Sequence, residues 1–515
     1  MSIEDKNQQT SKSLFVAEVI KEESAILVDG DAKYAHIKVN RSTAAVRGAA
    51  WSAINSFVPT LLNSIVFIVS SRYLMPHDFG VIALAVSAVS LASAFAPAAL
   101  GEALIQQLNI RRSHLDTVFW VCVSFALIIY GILVFLSPLI AAKMGQQAVS
   151  VFLPVIGLKL LFDLSAAVPN ALIARAMSFH LIAMRTIVAT VFSSVICIGL
   201  LMYGYGIWAL AISQLTVSMV SCLAAFLGAK WLPGLDFSVK SLRDLFEYGL
   251  FASGNRFLQA MNLDQLIIGS MIGAAPLGIY NFSRRLFQML NDVIAGALNS
   301  VSHVLLSSLQ NEKEKVREAF LLATYGSSLV SFPAFVGLAA IVGDAIPLVF
   351  GNHWVEAITP TRWFCLIGLM TCIGVIQSSL IKSQGKSNWW FYYQLLKQLT
   401  TIGIILIFFK KGISIIVLAL ALQTLILWPI TLVMISKIVN IKITTYFQQF
   451  IGPFLSSLIM LAVIQMLGYL LHDTSTSYRL IVEIIIGGLV YTTSASILSK
   501  KKLLILVSIF RQRNK

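Results

Sequence analysis

The sequence predicts an all-α polytopic membrane protein, and three observations predict it. Roughly fourteen apolar stretches, each about long enough to cross a bilayer, follow one another between Arg47 and Lys500. Of the 515 residues, 57% are hydrophobic and only 12% are charged, about half the charged share of an ordinary soluble chain. The connecting loops are short, so little chain remains for any extramembrane domain. Lipid offers no partner to backbone N–H and C=O groups, so such stretches close their hydrogen bonds internally as helices.

Taken in order, residues 1–46 open with the mixed-charge string MSIEDKNQQTSKS and have no long apolar core ahead of a small-residue cleavage site. They read as a cytoplasmic N-terminal extension and not as a signal peptide. A first six-helix bundle is expected within 47–235, with spans near 47–71, 80–104, 117–140, 151–173, 186–203 and 206–228. A second is expected within 236–440, with spans near 248–272, 283–306, 321–349, 360–381, 390–409 and 413–435. Two accessory helices follow within 441–499, near 451–471 and 478–498, and then a basic cytoplasmic tail at 500–515. Lys and Arg concentrate in alternate loops, which puts both termini in the cytoplasm; Lys410 and Lys411 are the local exception.

A weak repeat of about 200 residues relates the two bundles. Pro76 and Phe79-Gly80-Val81 resemble Pro276 and Leu277-Gly278-Ile279, and Pro138, Leu139, Gly145, Pro154 resemble Pro347, Leu348, Gly351, Pro360. Pro and Gly also recur at helix ends for generic reasons, as rigid exits and left-handed turns. Duplicated bundles are a common transporter plan, with a site between the halves.

Several functional classes are excluded. The net charge of +15 sits in loops beside spans, where it reads as a topology signal and not as a nucleic-acid surface. The five cysteines, at 122, 197, 222, 365 and 372, fall within apolar stretches without metal-ligand spacing, so no disulfide, metal or other cofactor is implied. No predicted outer loop is long enough for a catalytic domain, and the loops carry no DxD or HExxH constellation.

The string Arg72-Tyr-Leu-Met-Pro-His-Asp-Phe-Gly80, with Gly101-Glu-Ala-Leu-Ile-Gln-Gln107 and Thr117-Val-Phe-Trp120, carries a family resemblance. So do Pro169-Asn-Ala-Leu-Ile-Ala-Arg175 with Phe179, and Gly204-Tyr-Gly-Ile-Trp-Ala-Leu210 with Gln214. In the second half it continues through Asp264-Gln-Leu-Ile-Ile-Gly269, Gly278-Ile-Tyr280, Phe332-Pro-Ala-Phe-Val-Gly337, Pro347-Leu-Val-Phe-Gly351 and Trp354. In this order the motifs resemble the polysaccharide flippases of the multidrug, oligosaccharidyl-lipid and polysaccharide exporter superfamily, over about residues 42–440. Relatives often carry Pro where this chain has Val304, which bears on the shape of that helix end. The resemblance implies twelve core helices in two bundles plus two accessory helices. It also implies carriage of undecaprenyl-diphosphate-linked repeat units across the bacterial inner membrane for exopolysaccharide, capsule or O-antigen synthesis. The partners implied are a lipid-linked oligosaccharide, membrane lipids and other polysaccharide assembly proteins. The activity is transport, not enzymatic chemistry.

A diphosphate headgroup cannot shed its water into hydrocarbon, so such a carrier needs cations within its spans. Lys159, Arg256 and Lys397 lie within predicted spans, with Arg284 and Arg285 at the entrance to the eighth. Arg256, beside Asn255, Gln259 and Asn262, forms a polar stripe at helical spacing, and its fork of donors suits phosphate oxygens; the alternative is that it snorkels to the interface. Asp264 is the candidate for ion coupling, or else the partner of Arg256 or Lys397. Lys159 and Asp163, four apart, are expected to neutralise each other. Glu102, Asp292 and Glu483 are read as pairing locally or reaching an interface. Trp51, Trp120, Trp208, Trp354, Trp389, Trp390 and Trp428 are expected to anchor span ends, with sugar stacking as the alternative. Two other functions share some of these features: a multidrug or cation antiporter, and a membrane glycan polymerase or transferase.

Overall fold

The structure is a computed structural model that describes residues 41–97, 99–107, 110–243, 262–308, 313–500 and 502–504. Among the described residues all regular structure is helical, and 12 helical segments are long and apolar enough to cross a membrane. Helix α1 is Arg41–Tyr73. The second span is broken: α2, Pro76–Ala94, and α3, Ala99–Gln106, are separated around Pro97, which has no N–H to continue the ladder. Next comes α4, Arg112–Lys143. The fourth span is three pieces, α5 Val149–Gly157, α6 Lys159–Ser165 and α7 Ala167–Arg175, with breaks four residues after Pro154 and three before Pro169. Helices α8, Phe179–Met202, and α9, Ile207–Ala229, complete this half.

In the second half, α10 is Leu263–Met271, and the earlier part of the expected seventh span lies outside the described residues. Then come α11 Ala274–Ser308 and α12 Lys313–Ala345, the latter ending in a π turn, Ile346–Phe350, and a 3-10 turn, Asn352–Ala357. They are followed by α13 Ile358–Ser383, α14 Ser387–Phe408 and α15 Ile413–Val439. A short α16, Ile443–Phe447, leads to the accessory pair α17 Ile451–Leu470 and α18 Thr476–Leu498, which pack on α12.

Two boundaries differ from expectation in ways that matter. The fifth span starts at Phe179 and not near 186, which brings Arg185 inside it. The eighth starts at Ala274 and not near 283, so Arg284 and Arg285 lie ten and eleven residues into the helix and not at its entrance. In the eighth, Pro276 and Gly278 read as a connector, and in the fifth, His180 and Arg185 interrupt the apolar run. Helix α11 runs on through Val304 to Ser308.

The halves meet where α2 lies along α11, close to the start of each helix. A methyl on Gly80 would sit 1.8 Å from the Ala274 carbonyl oxygen, and one on Gly278 would sit 1.7 Å from that of Pro76. The contact is reciprocal: Gly80 and Gly278 are 198 positions apart, as are Pro76 and Ala274. The repeat read from the loops is thus a twofold backbone contact, and glycine is required because no Cβ fits. Around it Phe67, Phe79, Phe282, Phe350 and Trp354 form one aromatic cluster, with Phe282 stacked on Trp354 at 4.1 Å.

Polar ties lock the same place. The π turn leaves the Leu348 and Val349 carbonyls free, and Arg72 donates to both at 2.7 Å. The Trp354 indole N–H and the His353 ring both meet the Ser71 carbonyl oxygen at 2.8 Å. Trp354 is fully buried, so it is a junction residue and not the interfacial anchor expected from its position. This end of the molecule, called here the Pro76 end, is closed.

Candidate functional site

The charged side chains within the spans fall into two groups, one in each half. In the first half Arg185 is half-buried in α8, and its Nη1 donates to the Asn170 side-chain oxygen of α7. Its Nε is buried without a hydrogen-bond partner among the described residues. Asp163 acts on Arg185 through space but stands beyond ion-pair distance. The expected neutralisation of Lys159 by Asp163 is not formed: Asp163 is exposed, Lys159 is half-buried, and no ion pair joins them. The break at Leu158 separates their helix from α5 and leaves Lys159 at its first position, where the side chain has no preceding turn to lie on. Arg175, which ends α7, is buried and donates to the carbonyls of Leu104, Ile105 and Gln107, capping α3.

In the second half the arrangement differs. Asp264 in α10 accepts from Arg284 Nη1 at 2.7 Å and from the Tyr280 hydroxyl at 2.8 Å, both on the same oxygen. The partner of Asp264 is therefore Arg284, and neither Lys397 nor, among the described residues, any other cation bonds to it. A water-filled site for a coupled cation would have to displace a partly buried guanidinium from this carboxylate. Beside it Gln265 accepts from the Ser87 hydroxyl at 2.9 Å, a tie from α10 to α2 across the halves. Asn262 stands immediately before α10 and makes no side-chain cap to it. Arg256, Asn255 and Gln259 lie outside the described residues.

Arg285 and Lys397 are both half-buried, and among the described residues neither has a hydrogen bond or ion pair from its charged end. The Lys397 carbonyl instead accepts from Gln423 Nε2 at 2.8 Å, and Gln423 also bonds Thr400 and Thr401, fastening α14 to α15 around this position. At 1.5 Å per residue, Lys159, Arg285 and Lys397 each lie about 15 Å or slightly more from the first residue of their helical segment, a distance that, counted from the edge of a ~30 Å hydrocarbon layer, reaches its middle. An uncompensated cation at that depth is costly unless water or an anion reaches it. Charge and N–H donors of this kind suit a phosphate group, and among the described residues no group of three or more His, Cys, Asp or Glu side chains could hold a metal ion.

The linker between the halves is fixed to the first one. Trp120 donates to the Gly234 carbonyl at 2.7 Å, and Asp116 accepts the Gly234 N–H at 3.0 Å. Thr117 accepts the Ser238 N–H at 3.0 Å. Sequence reading missed Arg185, Gln423 and this mooring. Arg185 was hidden by the late boundary of the fifth span, whereas Gln423 and Asp116 carry no spacing signal at all.

Residues 69–359 match the family described as polysaccharide biosynthesis protein. The chain is 24% identical over 493 residues to the succinoglycan biosynthesis transport protein ExoT of Rhizobium meliloti (strain 1021), covering 92% of this chain and 97% of that one. It is also 24% identical over 372 residues to the lipopolysaccharide biosynthesis protein WzxC of Escherichia coli (strain K12), covering 70% and 74%. Among solved structures its fold is similar to the lipid II flippase MurJ in an inward closed conformation, with a TM-score of 0.74, 16% identity, and coverage of 88% of this chain and 99% of that one. A multidrug resistance transporter of the MATE family in an inward-facing conformation follows at a TM-score of 0.55, with 16% identity and 76% and 99% coverage.

Proposed function

The chain belongs to the polysaccharide biosynthesis protein family, and from that premise we propose that it is a flippase for lipid-linked oligosaccharides. Its cargo would be undecaprenyl-diphosphate-linked sugar repeat units of an exopolysaccharide, capsule or O-antigen, moved across the bacterial inner membrane to the assembly proteins that consume them. The observation that carries the proposal is the set of cations held at mid-depth without a carboxylate in contact: Lys159, Arg285 and Lys397, with Arg185 held by a neutral amide.

These groups replace the water that a diphosphate must give up on leaving the headgroup layer. Each charge-assisted contact is worth about 1.5–3 kcal/mol, enough in combination to hold the anion while the polyprenyl tail stays in lipid. With both termini cytoplasmic, as the basic loops indicate, the Pro76 end faces the periplasm, and this conformation is shut on that side. Release then requires the junction between α2 and α11 to part while the halves approach at the opposite end. The anion drives this exchange only insofar as it binds one arrangement better than the other.

The test is reconstitution of the full-length protein into vesicles with a fluorescent undecaprenyl-diphosphate oligosaccharide, scoring its exposure to a membrane-impermeant quencher. Lys159→Gln, Arg285→Gln and Lys397→Gln should each slow translocation about tenfold, the effect of losing about 1.4 kcal/mol, while insertion is unchanged. Wild-type rates in the triple variant would remove the cations from the mechanism. Efflux of cationic drugs with no movement of the lipid-linked sugar would replace this reading with that of a multidrug antiporter.

A further inference from the structure

A second set of ionisable groups lies apart from these, where the accessory helices meet the end of α12. Arg479, in the first turn of α18, is bidentate to Asp344 near the end of α12: Nε lies 2.8 Å from Oδ2, and Nη2 bonds Oδ1. One turn further along α18, Glu483 is 3% exposed, yet it makes no hydrogen bond or ion pair with any described residue. Its Oε1 faces Gly468 of α17, where an added methyl would come within 3.1 Å, so the small residue makes room for the carboxyl. Helix α17 has no charged residue anywhere in its length. The other charged groups nearby are Asp344, Arg479 and, on α13, Arg362, whose Nη2 lies 3.3 Å from where a methyl on Gly343 would stand. His472 and Asp473 sit in the exposed loop beyond.

Two carboxyl groups thus share one guanidinium, and the bidentate geometry gives it to Asp344. A carboxylate left buried without a contact partner at this depth is expensive, and the state that fits its surroundings is the neutral acid. We propose that Glu483 is a proton-binding site that decides which carboxylate holds Arg479. With its proton, Glu483 leaves Arg479 on Asp344. When the O–H bond breaks and the proton passes to water at the Pro76 end, the new carboxylate, one helical turn from Arg479, competes for the same guanidinium, and the tie between α18 and α12 is exchanged. No other bond changes.

The exchange has a mechanical address. Asp344 leads directly into the π turn at Ile346–Phe350, whose Leu348 and Val349 carbonyls are held by Arg72 across the junction of the halves. Loosening Asp344 frees the segment that Arg72 grips. The proton site stands independently of the cargo, whereas its use to time opening rests on the flippase reading.

The experiment needs no substrate. Full-length protein in vesicles is treated with a hydrophobic carbodiimide, which adds the O–H of a neutral carboxyl across a C=N bond, and the modified peptides are mapped by mass spectrometry. Labelling of Glu483 in the wild type should be strong at low pH and fall as pH rises. The absence of label at every pH, or labelling that does not change with pH, overturns the proposal. Infrared difference spectra between the two pH extremes should show a protonated carboxyl band that disappears in Glu483→Gln; persistence of that band in the variant also overturns it. Labelling that titrates normally in a protein that moves no lipid-linked sugar keeps the proton site and rejects the cargo.

Discussion

Arg185 in the first half and Arg284 in the second, both partly buried, are held in opposite ways. In the second half Arg284 and Asp264 touch at 2.7 Å, with Tyr280 on the same oxygen, and the pair is close to neutral. In the first half Arg185 touches a carboxamide, and the nearest acid, Asp163, is exposed and out of contact. A guanidinium bonded to a neutral dipole presents a net charge to its surroundings, whereas one bonded to a carboxylate keeps its charge but has most of its field cancelled at distances beyond the pair. A repeated architecture therefore does not repeat its electrostatics. The second half uses the Arg284–Asp264 pair as a fastener between α10 and α11, whereas Arg185 in the first half has no carboxylate in contact.

Three substitutions would break or sharpen that contrast. The largest effect is expected from Asp264→Asn, which leaves Arg284 uncompensated in a setting where its side chain is 26% exposed. A buried pair broken on one side costs about 3–5 kcal/mol, and partial exposure places this one at about 3. Thermal unfolding in detergent should show the loss, and Asp264→Asn combined with Arg284→Gln should recover most of it. Next is Asn170→Asp, which converts the first half to the pattern of the second. Binding of undecaprenyl diphosphate to the purified protein should weaken about tenfold, ~1.4 kcal/mol, with little change in unfolding. The smallest is Trp354→Phe, which removes one hydrogen bond to Ser71 but keeps the stack on Phe282. It should cost about 1 kcal/mol in the same unfolding assay and leave headgroup binding alone, because neither Trp354 nor the Ser71 carbonyl it bonds carries a charge for the anion.

The bundle was legible because lipid forces a simple rule on sequence: long apolar runs become helices, and the fourteen expected spans each find a helix wherever the chain is described. The repeat was legible at Gly80 and Gly278 because a backbone contact tolerates a single residue type. The breaks at Pro97 and Leu158 were not, since a proline within an apolar run is equally compatible with a mild kink. Among the candidates, Lys159 and Lys397 were singled out because charge in a span is rare, and Arg284 and Arg285 because they stood at the expected entrance of one. Their partners were not found: Arg284 meets Asp264 only through the fold, and Arg185 was assigned to a loop because it and His180 interrupt the apolar run that opens its helix. Trp354 shows the same limit, since closeness to a span end says nothing about whether the partner half will cover it.

The glycine contact between α2 and α11 has one more outcome. Where backbone oxygen lies against bare Cα on both sides, no gap remains for a file of water molecules. On the flippase reading, a carrier that opens for its cargo endangers ion gradients each time, and backbone packed this closely leaves no water at the point where the halves touch. The seal is insulation for the cell's membrane voltage as much as a door for cargo.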